Sequence, residues 1–149
     1  MRVSKKTDYA LRVLLSLAEK EQAGPVAIHD LAERNGIPKR FLEQIMLKLK
    51  AQGWVRSRQG VRGGYYLAKS PDRITIGEVV RHFEGVLAPI GCVSVTAPTP
   101  CAQEATCLLR RVFGEIRDHT AHLLDMMTLA DVVAGKPLVR SKNGVSLSG

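Results

Sequence analysis

Aromatic residues are scarce: Phe, Tyr and Trp make up 5% of the 149 residues, with a single Trp. That shortage argues against a stacking platform for single-stranded nucleic acid, which needs a series of exposed rings. Long apolar runs are missing as well. Nothing approaches the ~20 residues of a membrane-spanning helix, and the opening MRVSKKTDYA has no apolar signal region, so the expected compartment is the cytoplasm. No Ser/His/Asp or paired-carboxylate constellation is legible. The four histidines, His29, His82, His119 and His122, are scattered, the last two at i,i+3 spacing that suits a surface or a dimer seam. The expectation is a protein that is not an enzyme. Gly60, Gly63 and Gly64 lack the GK[ST] ending and the following helix of a phosphate-binding loop, which excludes a nucleotide cofactor and leaves a hairpin turn requiring positive φ. Cysteine is absent everywhere except between positions 92 and 107.

What is present is a strongly uneven charge. The net charge is +8. Residues 1–81 carry 16 Lys and Arg against 8 Asp and Glu, whereas residues 82–149 carry 6 of each. Residues 34–69 alone hold 9 basic residues and one acid, Glu43. A solubilising surface mixes both signs, so the one-sided half points to a polyanionic partner, double-stranded DNA, whose neutralised phosphates release condensed counterions.

Periodicity places the charges on elements. Ser4 opens an amphipathic helix with Ala10, Leu11, Leu14, Leu15, Leu17 and Ala18 on its apolar face, broken at Gly24–Pro25. Two short helices follow, joined at Asn35–Gly36. The first buries Ile28, Leu31 and Ala32; the second, begun near Pro38 and ended by Gly53, buries Phe41, Leu42, Ile45, Met46 and Leu49. Strand-like runs at 54–58 and 65–68 then flank a Gly-rich, Arg-bearing turn. Helix, Gly turn, helix and basic hairpin together predict a mainly α winged helix-turn-helix.

In that arrangement Lys39, Arg40, Phe41, Glu43 and Gln44 begin the recognition helix. Gln44 can read adenine bidentately and Glu43 can accept from cytosine, while Lys39 also suits plain phosphate neutralisation. Arg56, Arg58, Gln59, Gly60 and Arg62 fall on the wing, beside the backbone or minor groove. A further helix is expected over 76–84. A long one, from about 102 to 127, carries an apolar stripe that includes Leu109, Val112, Phe113, Ile116 and Leu123. So little chain remains to cover this stripe that an antiparallel helix of a second copy is the economical partner. Thr128 caps a last short helix ended by Gly135 and Pro137. The expected division is a DNA-binding domain over 1–85, a cysteine loop over 86–107, dimerisation and terminal helices over 102–135, and a flexible tail over 136–149.

Cys92, Cys101 and Cys107 are spaced C-x8-C-x5-C in a loop rich in Pro and Gly. An odd number cannot pair fully within one chain. Buried small hydrophobes fit poorly where no periodicity exists, and zinc prefers closer pairs with a fourth Cys or His. Three thiolates with one further ligand suit an iron–sulfur cluster best; zinc and a thiol redox switch remain alternatives.

From end to end the chain resembles the IscR/NsrR/RirA family of winged-helix transcription regulators. The matching pieces are RVSKKTDYALR, AGPVAIHDLAERNGIPKRFLEQIMLKLKAQGWV, GVRGGYYLAK, ITIGEVV, the three-cysteine loop, CLLRRVF and TLADVV. The resemblance implies a homodimer on operator DNA with one iron–sulfur cluster per subunit, [4Fe–4S] or [2Fe–2S], whose state sets DNA affinity. Two departures stand out. Arg110 occupies the place, three residues after the last cysteine, where the IscR branch carries His, and Gln59 stands where Arg often precedes the first wing glycine. Thr7-Asp8-Tyr9 resembles the NsrR branch, which implies Asp8 as a fourth ligand given to the other subunit, Arg12 supporting it by an i,i+4 ion pair, and nitric oxide as signal, with iron or redox status as alternatives. Asp8 is equally explained as a first-turn acid favoured by the helix dipole. A cluster-free regulator of the cysteine-metabolism type, answering to a metabolite or protein partner, is the competing function.

Overall fold

In a computed structural model of the chain, residues 2–85 and 87–137 are described. Helix α1 (Lys5–Glu19) begins at Ser4, whose hydroxyl accepts from the Thr7 amide, and buries Ala10, Val13, Leu14 and Leu17. Helices α2 (Ile28–Asn35) and α3 (Lys39–Ala51) are joined by Gly36, left-handed at φ 61°. Leu31 from α2 and Leu42, Ile45, Met46 and Leu49 from α3 pack against α1 in one core, which Trp54, Val55, Ile74 and Val79 complete. Each leucine-sized side chain so enclosed contributes about 1.5–3 kcal/mol. Ile28 and Phe41, expected inside, are only half-buried at its edge.

The hairpin pairs β1 (Val55–Arg58) with β2 (Gly64–Leu67), antiparallel, with Arg56 opposite Tyr66 and Arg58 opposite Gly64. Its glycines serve two different needs. Gly60 has positive φ, as a tight turn requires, whereas at Gly63 a Cβ would run into the Arg58 carbonyl. Gly64 combines both demands: φ is +149°, and a Cβ would overlap the Val26 carbonyl, because Val26 and Tyr65 exchange backbone hydrogen bonds of 2.8 Å. The wing is thereby stitched to the segment before α2. Gly64→Ala is expected to cost about 2–3 kcal/mol, from strained φ plus the lost bridge, read as a lower urea midpoint with unchanged m. A midpoint within error of wild type would show that the bridge is dispensable.

Helix α4 (Ile76–Glu84) opens on a capping box between Thr75 and Glu78, and α6 (Leu129–Val133) on another between Thr128 and Asp131. Lys136 and Thr128 hold the Asp131 carboxyl down to about 2. Lys136, the first residue of the expected tail, makes a 2.5 Å ion pair with Asp131 of α6. Positions 138–149 of the expected tail lie outside the described residues.

Helix α5 spans Leu108–Met126 and starts six residues later than its apolar pattern suggests. Cys101–Glu104 and Gln103–Thr106 instead close consecutive i→i+3 turns, and Cys107 is extended. The α5 helix lies against α4, where Gly77 gives room to the Asp125 carboxylate that pairs with Arg81. Among the described residues no helix is long and apolar enough to cross a membrane.

Candidate nucleic-acid interface and cysteine loop

The turn at Asn35–Gly36 sets the angle of α3. Asn35 Nδ2 donates to the Leu31 carbonyl and to Ser16 Oγ, fixing the turn to α2 and α1, and the Ile37 amide donates to Ala32. Lys39, Arg40, Glu43 and Gln44 consequently stand exposed on the first two turns of α3. Phe41 does not join them in the open: its ring meets Tyr9 edge-on at 5.7 Å, tying α1 to the start of α3.

On the hairpin, Arg56 and Arg58 alternate onto one face of β1, and Gln59, Gly60 and Arg62 are exposed at the turn. Arg58 lies over the Tyr66 ring at 5.9 Å. Lys50 Nζ donates to Ser57 Oγ at 2.9 Å, joining the end of α3 to the wing, a link the sequence did not advertise. Helix α3 and the hairpin thus both expose basic side chains, with Glu43 the one acid between positions 34 and 69. Gln44→Ala is expected to cost about 1–3 kcal/mol at a single base pair of a bound duplex, whereas Arg62→Ala should weaken all duplexes alike and lower the salt slope by about one. Salt titrations of fluorescence anisotropy check both, and a slope near zero for the unaltered protein would contradict the phosphate-binding surface.

The second site lies where the cysteine loop meets α5. Cys92 sits in a short 3-10 turn (Gly91–Val93), and Cys92 and Cys107 line one cleft of about 550 Å³, bordered by Arg110, Arg111, Glu115 and Arg117. All three cysteines are free thiols, and Cys101 is exposed on the neighbouring turn. The residue in the IscR-type His position, Arg110, pairs with Glu104 at 2.8 Å and so ties the loop to α5; Arg117 donates to the Val93 carbonyl and does the same. The donor chemistry suits a thiolate-held iron–sulfur group. Among the described residues, however, no three His, Cys, Asp or Glu side chains converge as a metal-holding set.

Asp8 lies on the first turn of α1 and accepts from Arg12 Nε at 3.0 Å, the i,i+4 pair read from the sequence; this pairing raises the guanidinium pKa. Beside it, Ser4 and Thr7 both donate to the Glu84 carboxylate, which these bonds hold below the usual Glu range. The start of α1 is therefore fastened to the last residue of α4, just ahead of the cysteine loop. No local pattern could reveal a contact across 77 positions.

On α5 no residue is buried. Leu109, Val112 and Ile116 are 61%, 52% and 46% exposed, while Phe113 and Leu123 of the same stripe are half-covered by their own chain.

A family model described as Rrf2, an iron-dependent transcriptional regulator, matches residues 3–135. The chain belongs to the Rrf2 family. It is 40% identical over 145 residues to an Rrf2-like HTH-type transcriptional regulator of Rhodobacter capsulatus, covering 93% of this chain and 97% of that one. Among solved structures it is similar to CymR, the global cysteine regulator of B. subtilis, with TM-score 0.78, 30% identity and coverage of 92% and 99%. It is also similar to T. potens IscR, with TM-score 0.73, 28% identity and coverage of 97% and 94%. This Rrf2 protein is thus a winged-helix, DNA-binding transcriptional regulator and not an enzyme. Its relatives are spread over Rrf2-like, CymR, NsrR and IscR proteins without favouring one branch, so the NsrR-type affinity read from Asp8 is not carried by overall similarity.

Proposed function

We propose that this Rrf2 regulator is a homodimeric repressor whose grip on operator DNA is set by an iron–sulfur cluster held by Cys92, Cys101, Cys107 and Asp8 of the partner subunit. The observation that carries the reading is the confinement of every cysteine to one loop, two of them lining a single cleft at the base of a helix with no buried residue. Bound there, a cluster supplies iron whose ligation responds to nitric oxide or oxidant, the carboxylate oxygen being a harder, weaker donor than thiolate.

The protein's own residues provide the coupling. Asp8 shares its helical turn with Thr7, which donates to Glu84, and with Tyr9, which packs on Phe41. A pull on Asp8 therefore bears on both the end of α4 and the start of the recognition helix. Arg12, Glu84 and Phe41 position these elements and touch no iron in this reading. A population shift between two settings of the α1 turn would then alter how α3 is presented to DNA.

A second reading has its own support. The likeness to CymR, together with the absence of three converging donors among the described residues, favours a cluster-free regulator that answers to a metabolite or a protein partner. Anaerobic reconstitution with iron and sulfide separates the two. The cluster reading expects a brown protein with visible absorbance and near-stoichiometric iron and sulfide, reduced or destabilised in Asp8→Ala. A colourless wild type without bound iron would remove the cluster reading and leave the cluster-free regulator standing.

A further inference from the structure

Leu47 is an apolar residue where the charge of α3 leads one to expect a polar one. It is 67% exposed, and apart from Val61 at the wing tip it is the most exposed large hydrophobic residue between positions 2 and 85. At about 100° per residue its side chain falls within about 60° of Arg40, Glu43 and Gln44, in the middle of the outward face of the helix. The opposite face is occupied by Leu42, Ile45, Met46 and Leu49, all fully buried, so α3 cannot rotate to cover Leu47. Nor does it belong to the exposed α5 stripe, which lies on another element.

We infer that Leu47 is a specificity-determining residue that reads the 5-methyl group of a thymine in the major groove. The inference rests on the DNA-reading role of α3. A basic helix entering the groove meets hydrogen-bonding base edges and one apolar feature, the pyrimidine 5-methyl. Arg40, Glu43 and Gln44 can serve the polar edges and have no use for the methyl. Leu47, one turn beyond Glu43 and Gln44, offers the aliphatic surface that a methyl requires and that water covers poorly. The same chemical group occurs on 5-methylcytosine, but there the exocyclic group is a donor rather than an acceptor, so the two sources can be told apart.

The test begins with duplexes enriched from a random pool by the full-length wild-type protein. Failure to enrich any sequence would count against sequence reading by α3 as a whole. With an enriched duplex in hand, each thymine is replaced in turn by deoxyuridine, which deletes only the methyl. Wild type should lose about fourfold in affinity per half-site at one position, the value of one buried methyl group. Leu47→Ala should bind both duplexes alike, and it should fold normally, because Ala is a good helix former at an exposed site. Circular dichroism and the thermal midpoint verify that. Placing 5-methylcytosine opposite guanine at the same position keeps the methyl but exchanges the O4 acceptor for a donor and adenine for guanine, so affinity should stay below wild type; full restoration would overturn thymine as the base read. Indifference of wild type to every deoxyuridine, or undiminished discrimination in Leu47→Ala, would overturn the inference.

Discussion

Ile116→Asp should convert the regulator from a dimer to a monomer and lower its affinity for a two-half-site operator by about a hundredfold or more. Ile116 shares an open face of α5 with Leu109 and Val112, and no residue of α5 is fully buried in its own chain. A stripe of that length left in water is unfavourable at about 25 cal/mol per Å², and an isologous contact with the same stripe of a second copy removes it. Aspartate there would carry a charge into a desolvated seam, while in the single chain it would simply be solvated. A monomer engages one half-site and about half of the phosphates, so it loses both base contacts and counterion release. Sedimentation or light scattering reads the mass and anisotropy the affinity. A wild type that is monomeric at micromolar concentration, or a variant that remains dimeric with full affinity, would remove the basis of the dimer. Leu123→Asp is a less clean probe, because Leu123 is half-covered by its own chain and its loss would also disturb intramolecular packing.

The second large effect concerns the cysteine loop. On the proposed cluster function, Cys101→Ala should abolish cluster uptake on reconstitution and, with it, any response of operator binding to nitric oxide. It should leave the stability of the metal-free protein within about 0.5 kcal/mol of wild type, since the side chain is exposed and makes no buried contact. This pairing of a lost cofactor with an intact fold distinguishes a ligand from a packing residue. Iron analysis and urea unfolding of the same preparation read both. Full cluster occupancy in Cys101→Ala would exclude that thiol from the ligand set.

The winged domain was legible in the sequence because its signals are local. Ser4 and Thr128 announce helix starts by capping chemistry, Gly36 the turn, and the alternation of charge with apolar residues the face of α3. Where two local signals compete, the sequence misleads. An apolar period extends the α5 pattern back to about 102, but the chain there closes separate turns and leaves Cys107 extended. Gly64 reads as a turn glycine, yet it is also required by the approach of Val26, a partner nearly forty residues earlier. The ties around the second site are of the same kind. Glu84 with Ser4 and Thr7, Arg81 with Asp125, and Arg117 with the Val93 carbonyl join segments 24 to 80 positions apart by single polar contacts, which leave no periodic trace. Arg110 shows the converse. Its mismatch to the IscR pattern was visible at once, but its role, pairing with Glu104 across the loop, needed the fold.

Whether the state of the cysteine loop sets the grip on DNA is decided by one comparison. A single anaerobic preparation is divided, half loaded with iron and sulfide and half left metal-free, and both are titrated onto the same operator duplex at the same salt concentration. Coupling between a sensor and a binding site is typically worth about 5- to 150-fold, and the two dissociation constants should differ by a factor in that range. Identical constants for loaded and metal-free protein would contradict it.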